Sequence, residues 1–292
     1  MKFIITGSLG NTGRPLTTGL LEKGHLVTVI SSRSERKKEI ESLGADAAIG
    51  SLEDLDFLTA TVAGADAVYL MFPPNFAVPD SSEYYRRVGE NYANAIRHSG
   101  VKRAVHLSSY GAHLEKGTGF ITGSHIVEQI LNGLDNVAVT HLRAGYFYTN
   151  LFNFAEMIRT AGFIGSNYGG DDPLILVHPL DIAAAAAEEM LRTSSGKDVR
   201  YVVSDERTAD DVAMTIGAAI GKPDVQWVRF TDEQALESLL KNGLPPHVAA
   251  NFVEMGAAIH SGILRGDYEL HKPETMGKIK LENFAIEFAA AF

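Results

Sequence analysis

Three glycines spaced three residues apart, Gly7, Gly10 and Gly13, follow the apolar run Phe3-Ile4-Ile5 and precede a stretch with helical periodicity. Glycine at such positions allows a tight turn, a close approach of the backbone to a pyrophosphate, and close packing of helix on strand. The helix N-terminus adds unpaired N–H groups and the positive end of a dipole. The pattern therefore predicts a dinucleotide-binding turn. Its predicted cofactor contacts are Gly7, Leu9, Gly10, Asn11, Thr12 and Gly13.

The residues after the second predicted strand indicate which dinucleotide binds. A site that prefers NAD usually has a carboxylate here for the ribose 2′-hydroxyl. This chain instead has Ile30-Ser31-Ser32-Arg33, with Lys37 and Lys38 beyond in what is expected to be a solvated helix start. A guanidinium beside hydroxyl groups can hold a 2′-phosphate. Ser32 and Arg33 are therefore predicted cofactor contacts, and the sequence favours NADP(H) over NAD(H).

Other reaction types lack the residues that they need. The ten histidines show no His-x-His or His-Glu-x-x-His spacing, so we expect no metal site. No Gly-x-Ser-x-Gly segment offers a hydrolase nucleophile. The absence of cysteine excludes disulfides, thiolate nucleophiles and iron–sulfur clusters.

Short β-rich runs alternate with helical patterns over the first 145 residues. The predicted strands are 3–5, 26–30, 47–49, 67–71, 104–107 and 137–142, and the predicted helices are 13–23, 34–43, 53–63, 83–99 and 122–133. Strands that are apolar on both faces and separated by helices indicate a parallel sheet covered on both sides. We therefore predict an α/β fold with a Rossmann-like, doubly wound parallel sheet.

The alternation fades after residue 145. Residues 174–177 and 200–203 are predicted strands, Thr208 and Thr231 begin helices with capping boxes, and 247–260 is a further helix. We predict an NAD(P)-binding domain over 1–148, with strands returning to it from about 174–205. Residues 149–292 are predicted to form a smaller C-terminal α/β domain that supplies the substrate cleft.

The composition limits the classes of partner. The chain has 292 residues and a formal net charge of -10, so it repels phosphate backbones and no nucleic-acid partner is expected. No apolar run is long enough for a membrane span, and the N-terminus lacks the features of a signal peptide. The absence of cysteine fits a reducing cytoplasm. We expect a cytoplasmic protein with a small-molecule acceptor; the sequence leaves its oligomeric state open.

Several short motifs occur in a characteristic order. They are the glycine pattern of 7–13, Phe72-Pro73-Pro74, His106-Leu107-Ser108-Ser109, His125-Ile126-Val127-Glu128, the run 142–147 with Asn150, and the run 178–183. Through them the chain resembles the NmrA-like family of atypical short-chain dehydrogenases/reductases, which includes type-two quinone oxidoreductases and cofactor-sensing regulators. With the rule that ligands bind at the carboxyl ends of parallel strands, the resemblance implies further cofactor contacts. These are Ser51, Leu52, Phe72, Pro73, Pro74, Ser108 and Ser109.

The chain departs from the wider superfamily at the catalytic pair. A typical member has Tyr-x-x-x-Lys on the helix after the fifth strand, where the lysine lowers the pKa of the tyrosine. No such pair occurs between residues 105 and 145, and the one match, Tyr268 with Lys272, lies in a charged segment near the C-terminus. The aspartate often found after the third strand is also absent, with Ser51 and Leu52 near its place. Nucleotide-sugar epimerisation, which needs the pair, is therefore poorly supported.

Hydride transfer to a conjugated acceptor does not need that pair, since the product anion is delocalised and can take its proton from water. The sequence thus predicts an NADPH-dependent reductase of quinone-like, azo or enone acceptors. Tyr110 and His125 are the candidate catalytic groups, because either could hydrogen-bond an acceptor oxygen. A pocket-lining role is favoured for His125, and a structural one for Glu128 and Arg143. The alternative function is a non-catalytic, NADP(H)-sensing regulatory protein of the NmrA type.

Overall fold

The strands and helices predicted for the N-terminal half are all present in the computed structural model, which describes residues 1–292. In chain order they are β1 Lys2–Ile5, α1 Gly13–Glu22, β2 Leu26–Ser31, α2 Lys37–Ser42, β3 Asp46–Ile49, α3 Leu55–Val62, β4 Ala67–Leu70, α4 Ser81–Ser99, β5 Arg103–Ser109, α5 Ile121–Asn132 and β6 Ala138–Ala144. A short 3-10 helix, Ser34–Arg36, precedes α2.

The C-terminal half contains shorter strands and more helix. Its elements are β7 Tyr146–Phe147, a 3-10 helix Tyr148–Phe154, α6 Ala155–Ala161, β8 Ile164–Ser166, β9 Pro173–Val177, α7 Pro179–Leu191, β10 Lys197–Val202, β11 Asp205–Thr208, α8 Ala209–Ala219, β12 Trp227–Arg229, α9 Asp232–Lys241, α10 Pro246–His260, α11 Arg265–Leu270 and α12 Leu281–Ala291. No helix of the chain combines the length and the apolar character that crossing a membrane requires.

The central sheet has seven strands in the order β10-β6-β5-β4-β1-β2-β3. β1 pairs in parallel with both neighbours, so that Phe3 lies opposite Val27 on β2 and Ala67 on β4. Successive strands run outward from β1 in one direction and from β4 in the other, which creates a crevice at the carboxyl ends of the strands. The predicted Rossmann-like α/β fold is confirmed.

Burial on both faces explains why these runs form the sheet. Phe3, Ile4 and Ile5 of β1 are completely buried, although their side chains alternate between the two faces. Ile4 contributes to an apolar cluster with Val68 of β4 and Val139 of β6. A strand that is apolar on both faces is stable only when helices cover both sides of the sheet.

The chain divides into two compact units, and each is made of three segments. The first unit contains residues 1–109, 123–143 and 182–200, and the second contains 110–122, 144–181 and 201–292. The structure differs from the prediction that the strand at 174–177 returns to the large sheet. β9 pairs with β7 and β11 in a separate three-stranded sheet, and β10 alone joins the large one. The apolar character of β9 requires burial but does not determine which sheet buries it.

The last helix, α12, lies in the core of the second unit. Phe284 stacks on Tyr148 with a centroid distance of 5.2 Å, and Phe288 stacks on Phe152 at the same distance. The chain before α12 is held by the carboxylate of Asp181, which accepts hydrogen bonds from the N–H groups of residues 278 and 279 at 3.0 and 3.1 Å. The C-terminal residues thus form an integral part of this unit.

Two helices of the second unit begin with the predicted capping hydrogen bonds. The hydroxyl of Thr208 accepts from the N–H of Asp211 at 3.1 Å, and the Asp211 carboxylate accepts from the N–H of Thr208 at 3.1 Å. Thr231 and Gln234 form the same reciprocal pair at the start of α9. Both predicted capping boxes are confirmed.

Two buried histidines face each other across β5 and β6. The Nδ1 atoms of His106 and His141 are 3.0 Å apart, and Nε2 of His141 donates to Oδ1 of Asn132 at 3.0 Å. Nδ1 of His141 therefore accepts the proton that His106 donates. Burial lowers the pKa of His106 well below its usual range and lowers that of His141 to about 4. Both rings are neutral at physiological pH.

This pair should make the protein acid-sensitive before its carboxylates titrate. Unfolded imidazoles bind protons below their ordinary pKa of about 6.5, whereas the folded pair does not. The free energy of unfolding should fall as the pH drops from 6.5 toward 4, by up to about 1.4 kcal/mol per pH unit for each histidine. Urea denaturation of the wild type and of the His106→Leu/His141→Leu variant measures this. An equally steep slope in the variant would contradict the assignment.

Candidate functional site

The three glycines of the turn between β1 and α1 are required for different reasons. Gly7 has a φ of +88°, and a Cβ there would lie 2.3 Å from the Met71 side chain. A Cβ at Gly13 would lie 2.1 Å from the carbonyl oxygen of Ser8. At Gly10, which is exposed, a Cβ would meet only the Gly7 carbonyl oxygen, at 3.3 Å. The fold itself thus requires Gly7 and Gly13, whereas Gly10 leaves open space beside the turn.

The N-terminus of α1 is left open for an anion. Its N-cap residue, Thr12, makes no side-chain capping hydrogen bond, and the first turn carries no acidic residue. The Thr12 hydroxyl instead accepts from the buried hydroxyl of Tyr69 on β4, at 3.3 Å. The Arg14 N–H donates to the Gly10 carbonyl oxygen and residue 15 is a proline, so the N–H of Gly13 and the positive end of the helix dipole are what this terminus offers to a pyrophosphate. This geometry fits the predicted cofactor.

Hydrogen bonds tie the turn to the end of β2. The N–H of Ser8 donates to the Ile30 carbonyl oxygen at 3.0 Å, and the Ser8 hydroxyl donates to that of Ser31 at 3.1 Å. The Ser31 hydroxyl also accepts from the N–H of Arg33 at 3.2 Å. Ser32 is exposed, as is 59% of the Arg33 side chain, whose Nε lies 3.9 Å from the carboxylate of Glu35. The guanidinium is therefore accessible to a further anion.

The ends of β3 and β4 contribute the next predicted contacts. Ser51 is exposed and its hydroxyl accepts from the N–H of Glu53, while the Leu52 carbonyl oxygen accepts from the Asn91 amide at 3.2 Å. The half-buried ring of Phe72 lies edge-on to the rings of Tyr92 and His106, with centroid distances of 5.0 and 5.6 Å. Pro73 and Pro74 are exposed. These residues share the carboxyl edge of the sheet with the glycine turn.

The end of β5 is built around a buried ion pair. The Glu128 carboxylate accepts from Nε and Nη2 of Arg143 at 3.0 and 2.7 Å, and from the Ser108 hydroxyl at 2.5 Å. Burial alone would raise the pKa of Glu128, but these hydrogen bonds and the nearby positive charges hold it below its ordinary value. The structural interpretation of Glu128 and Arg143 is confirmed. Because the buried Ser108 hydroxyl donates its proton to Glu128, it is not available as a donor to a cofactor. Ser109 is half-buried.

The two candidate catalytic residues belong to different units. Tyr110 is buried in the core of the second unit, with its ring edge-on to that of Tyr268 at 6.3 Å, and burial raises the pKa of its phenol. His125 is half-buried on α5 in the first unit. Their catalytic roles stay predictions. No three histidine or carboxylate side chains are arranged to hold a metal ion.

The isolated Tyr-x-x-x-Lys match has a structural explanation. The Tyr268 hydroxyl donates to Glu206 at 2.7 Å, and Nζ of Lys272 lies 5.4 Å from the centre of the Tyr268 ring. Burial and the Glu206 carboxylate raise the pKa of Tyr268. A catalytic tyrosine of this type needs a lowered pKa, so the pair serves the packing of the second unit.

The sequence interpretation missed a charge cluster beside the glycine turn. Arg14, directly after the last glycine, and Arg36, in the connection between β2 and α2, both hydrogen-bond the carboxylate of Glu39. The sequence did offer one signal for this cluster, namely an arginine directly beside the predicted pyrophosphate site. Its partner lies 25 residues away and could not be inferred from local spacing.

Comparison with known proteins agrees with this geometry. Residues 7–144 match the model of a family described as NAD(P)H-binding. An NAD(P)H azoreductase of Xenophilus azovorans is 25% identical over 294 residues, which cover 99% of this chain and 98% of that protein. The predicted cofactor class, NAD(P)H, is confirmed.

Solved structures extend the likeness over the whole chain. An NADPH-dependent quinone oxidoreductase of Escherichia coli, complexed with NADPH, has a TM-score of 0.83 at 20% identity and covers 98% of this chain and 99% of its own. A Citrobacter sp. triphenylmethane reductase has a TM-score of 0.79 at 19% identity, with both chains fully covered. At these identities the likeness shows the fold. The likeness to quinone oxidoreductases that the motifs indicated is confirmed at the level of the fold.

Gly10 and Gly13 should respond differently to substitution. Gly10→Val should reduce the affinity for NADPH by more than about tenfold at an unchanged melting temperature, since its side chain occupies space that the pyrophosphate needs. Gly13→Val should lower the free energy of unfolding by about 1–3 kcal/mol or more, because it clashes with backbone. Gly19→Ala, where a Cβ meets nothing within 4 Å, is the control. A Gly10→Val protein with wild-type affinity would contradict the site.

Proposed function

We propose that this chain, whose residues 7–144 match the NAD(P)H-binding family, is an NADPH-dependent reductase of quinone-like, azo or enone acceptors. One observation carries the proposal: the uncapped, acid-free N-terminus of α1 stands behind a glycine turn that is hydrogen-bonded to the end of β2, beside Arg33. This arrangement supports binding of a dinucleotide through its pyrophosphate and its adenosine ribose.

The charges at the end of β2 support NADPH over NADH. Arg33 is exposed, and no carboxylate stands at the residues where an NAD-preferring chain would bind the ribose 2′-hydroxyl. Glu35 is the carboxylate near its guanidinium, and at 3.9 Å it leaves the N–H groups available. The related quinone oxidoreductase of Escherichia coli was solved with NADPH, which agrees with this choice.

The acceptor class follows from what the chain lacks. When bound, the nicotinamide supplies a hydride. The first unit offers no Tyr-x-x-x-Lys pair to exchange a proton with an alcohol, so acceptors whose reduced anion is delocalised are favoured. The relatives compared above are reductases named for azo, quinone and triphenylmethane compounds, all of which are conjugated. These names favour the reductase over the regulatory alternative.

The cofactor preference can be tested at Arg33. A charge-assisted hydrogen bond contributes about 1.5–3 kcal/mol, which is about ten- to a hundredfold in affinity. NADPH should bind at least about tenfold more tightly than NADH, and Arg33→Ala should remove most of that difference while changing NADH affinity little. Fluorescence titration with both nucleotides measures this, with the exposed Lys38→Ala as a charge-matched control. Parallel losses for both nucleotides would instead indicate that Arg33 stacks on the adenine.

The reaction itself can be tested by following the absorbance of NADPH while quinones, azo dyes and enals are added. We expect turnover with at least one class, and much lower turnover in the Gly10→Val variant at the same limiting NADPH concentration. His125→Ala should lower turnover by less than about tenfold if this residue only lines the pocket, since a positioned general acid contributes about 10²–10⁴. Tight NADPH binding without turnover of any acceptor would contradict the reductase and favour the NADP(H)-sensing alternative.

A further inference from the structure

Two arginines and one glutamate form a bridge at the adenosine side of the candidate site. Nη2 of Arg14 hydrogen-bonds Oε1 of Glu39, and Nη1 of Arg36 hydrogen-bonds Oε2 of the same carboxylate. The three side chains are between 32% and 43% exposed, so solvent and ligands can reach them. One carboxylate thus pairs with two guanidinium groups, through one nitrogen of each.

The bridge joins the two segments that the cofactor must contact. Arg14 is the second residue of α1, and its N–H donates to the Gly10 carbonyl oxygen at 3.1 Å, within the glycine turn. Arg36 belongs to the 3-10 helix that begins directly after Arg33. Arg14 and Arg36 therefore extend from the two segments between which the 2′-phosphate is proposed to bind, and their guanidinium groups meet at Glu39 of α2.

Glu39 is an internal anion in this region. Its hydrogen bond with Arg36 is the main cause that lowers the pKa of its carboxyl, so the group is ionised at neutral pH. A phosphate dianion presents more charge and more acceptor oxygens to a guanidinium than a carboxylate does. NADPH would therefore compete with Glu39 for the two arginines, whereas NADH would leave the bridge intact.

We propose that Arg14 is a second specificity-determining residue for the 2′-phosphate and that Glu39 is its built-in competitor. On NADPH binding the Arg14 guanidinium turns from the Glu39 carboxylate to the phosphate, with Arg36 and Arg33 beside it. The inference rests on the proposed NADPH site and adds to it a residue outside the β2 connection. It also makes the selectivity for NADPH depend on the charge at position 39.

Two substitutions with opposite expected effects test the inference. Arg14→Gln should weaken NADPH binding by roughly three- to tenfold and leave NADH binding within about twofold, since it removes one exposed charge-assisted contact. Glu39→Gln should strengthen NADPH binding by a similar factor, because a neutral amide holds the guanidinium groups less strongly than a carboxylate and does not repel the phosphate. Glu39→Gln should raise the NADPH affinity less when it is added to the Arg14→Gln variant than when it is added to the wild type. Equilibrium titrations with NADPH and NADH give these values without any turnover.

The possible outcomes separate this inference from the proposed function. If the bridge only fastens α1 to α2, both variants will lower the melting temperature and leave the ratio of NADPH to NADH affinity unchanged, which overturns the role of Arg14 and Glu39. A loss of NADPH affinity in Glu39→Gln overturns the competition as well. If Arg33→Ala still abolishes the preference for NADPH in these experiments, the proposed cofactor site stands. If the wild type binds neither nucleotide, the proposed function fails.

Discussion

The close approach of α1 to the backbone of the preceding turn is the constraint on which the site depends. No side chain fits at Gly13, because a Cβ would lie 2.1 Å from the Ser8 carbonyl oxygen. This close approach holds the N-terminus of α1 over the end of β1. There the Thr12 hydroxyl accepts a hydrogen bond from the Tyr69 hydroxyl of β4. The Ser8 hydroxyl fixes the other side of the turn to β2. The N-terminus of α1 is thus held by both strands that flank β1.

The buried ionic groups of the first unit stabilise the frame around this turn. Glu128 is satisfied by Arg143 and Ser108, and Arg103 donates to Glu189 at 2.7 Å with both side chains almost fully buried. Each buried charge is stable because an opposite charge and neighbouring hydroxyl groups satisfy it, since an unpaired charge in such surroundings is strongly destabilising. These charges therefore maintain the architecture, while the accessible charges at the adenosine edge are available for ligand chemistry.

Local signals in the sequence predict the fold and the glycine turn between β1 and α1 well, because their physical causes are local. Strand and helix periodicity, the glycine spacing and the caps at Thr208 and Thr231 each depend on neighbouring residues. Relations between distant residues are not accessible in this way. The sheet that takes up β9, the commitment of the Ser108 hydroxyl to Glu128, and the bridge from Arg14 to Glu39 are each decided by segments far apart in the chain.

The division of each unit into three segments has a consequence for biosynthesis. The edge strand β10 of the large sheet emerges from the ribosome only after most of the chain has been synthesised, and the second unit still waits for Phe284 and Phe288 of α12. Until then Tyr148 and Phe152 lack the two rings that stack on them. The second unit can therefore complete its native core only late in translation. Nascent chains that do not yet contain α12 expose to chaperones the aromatic faces that this helix later covers.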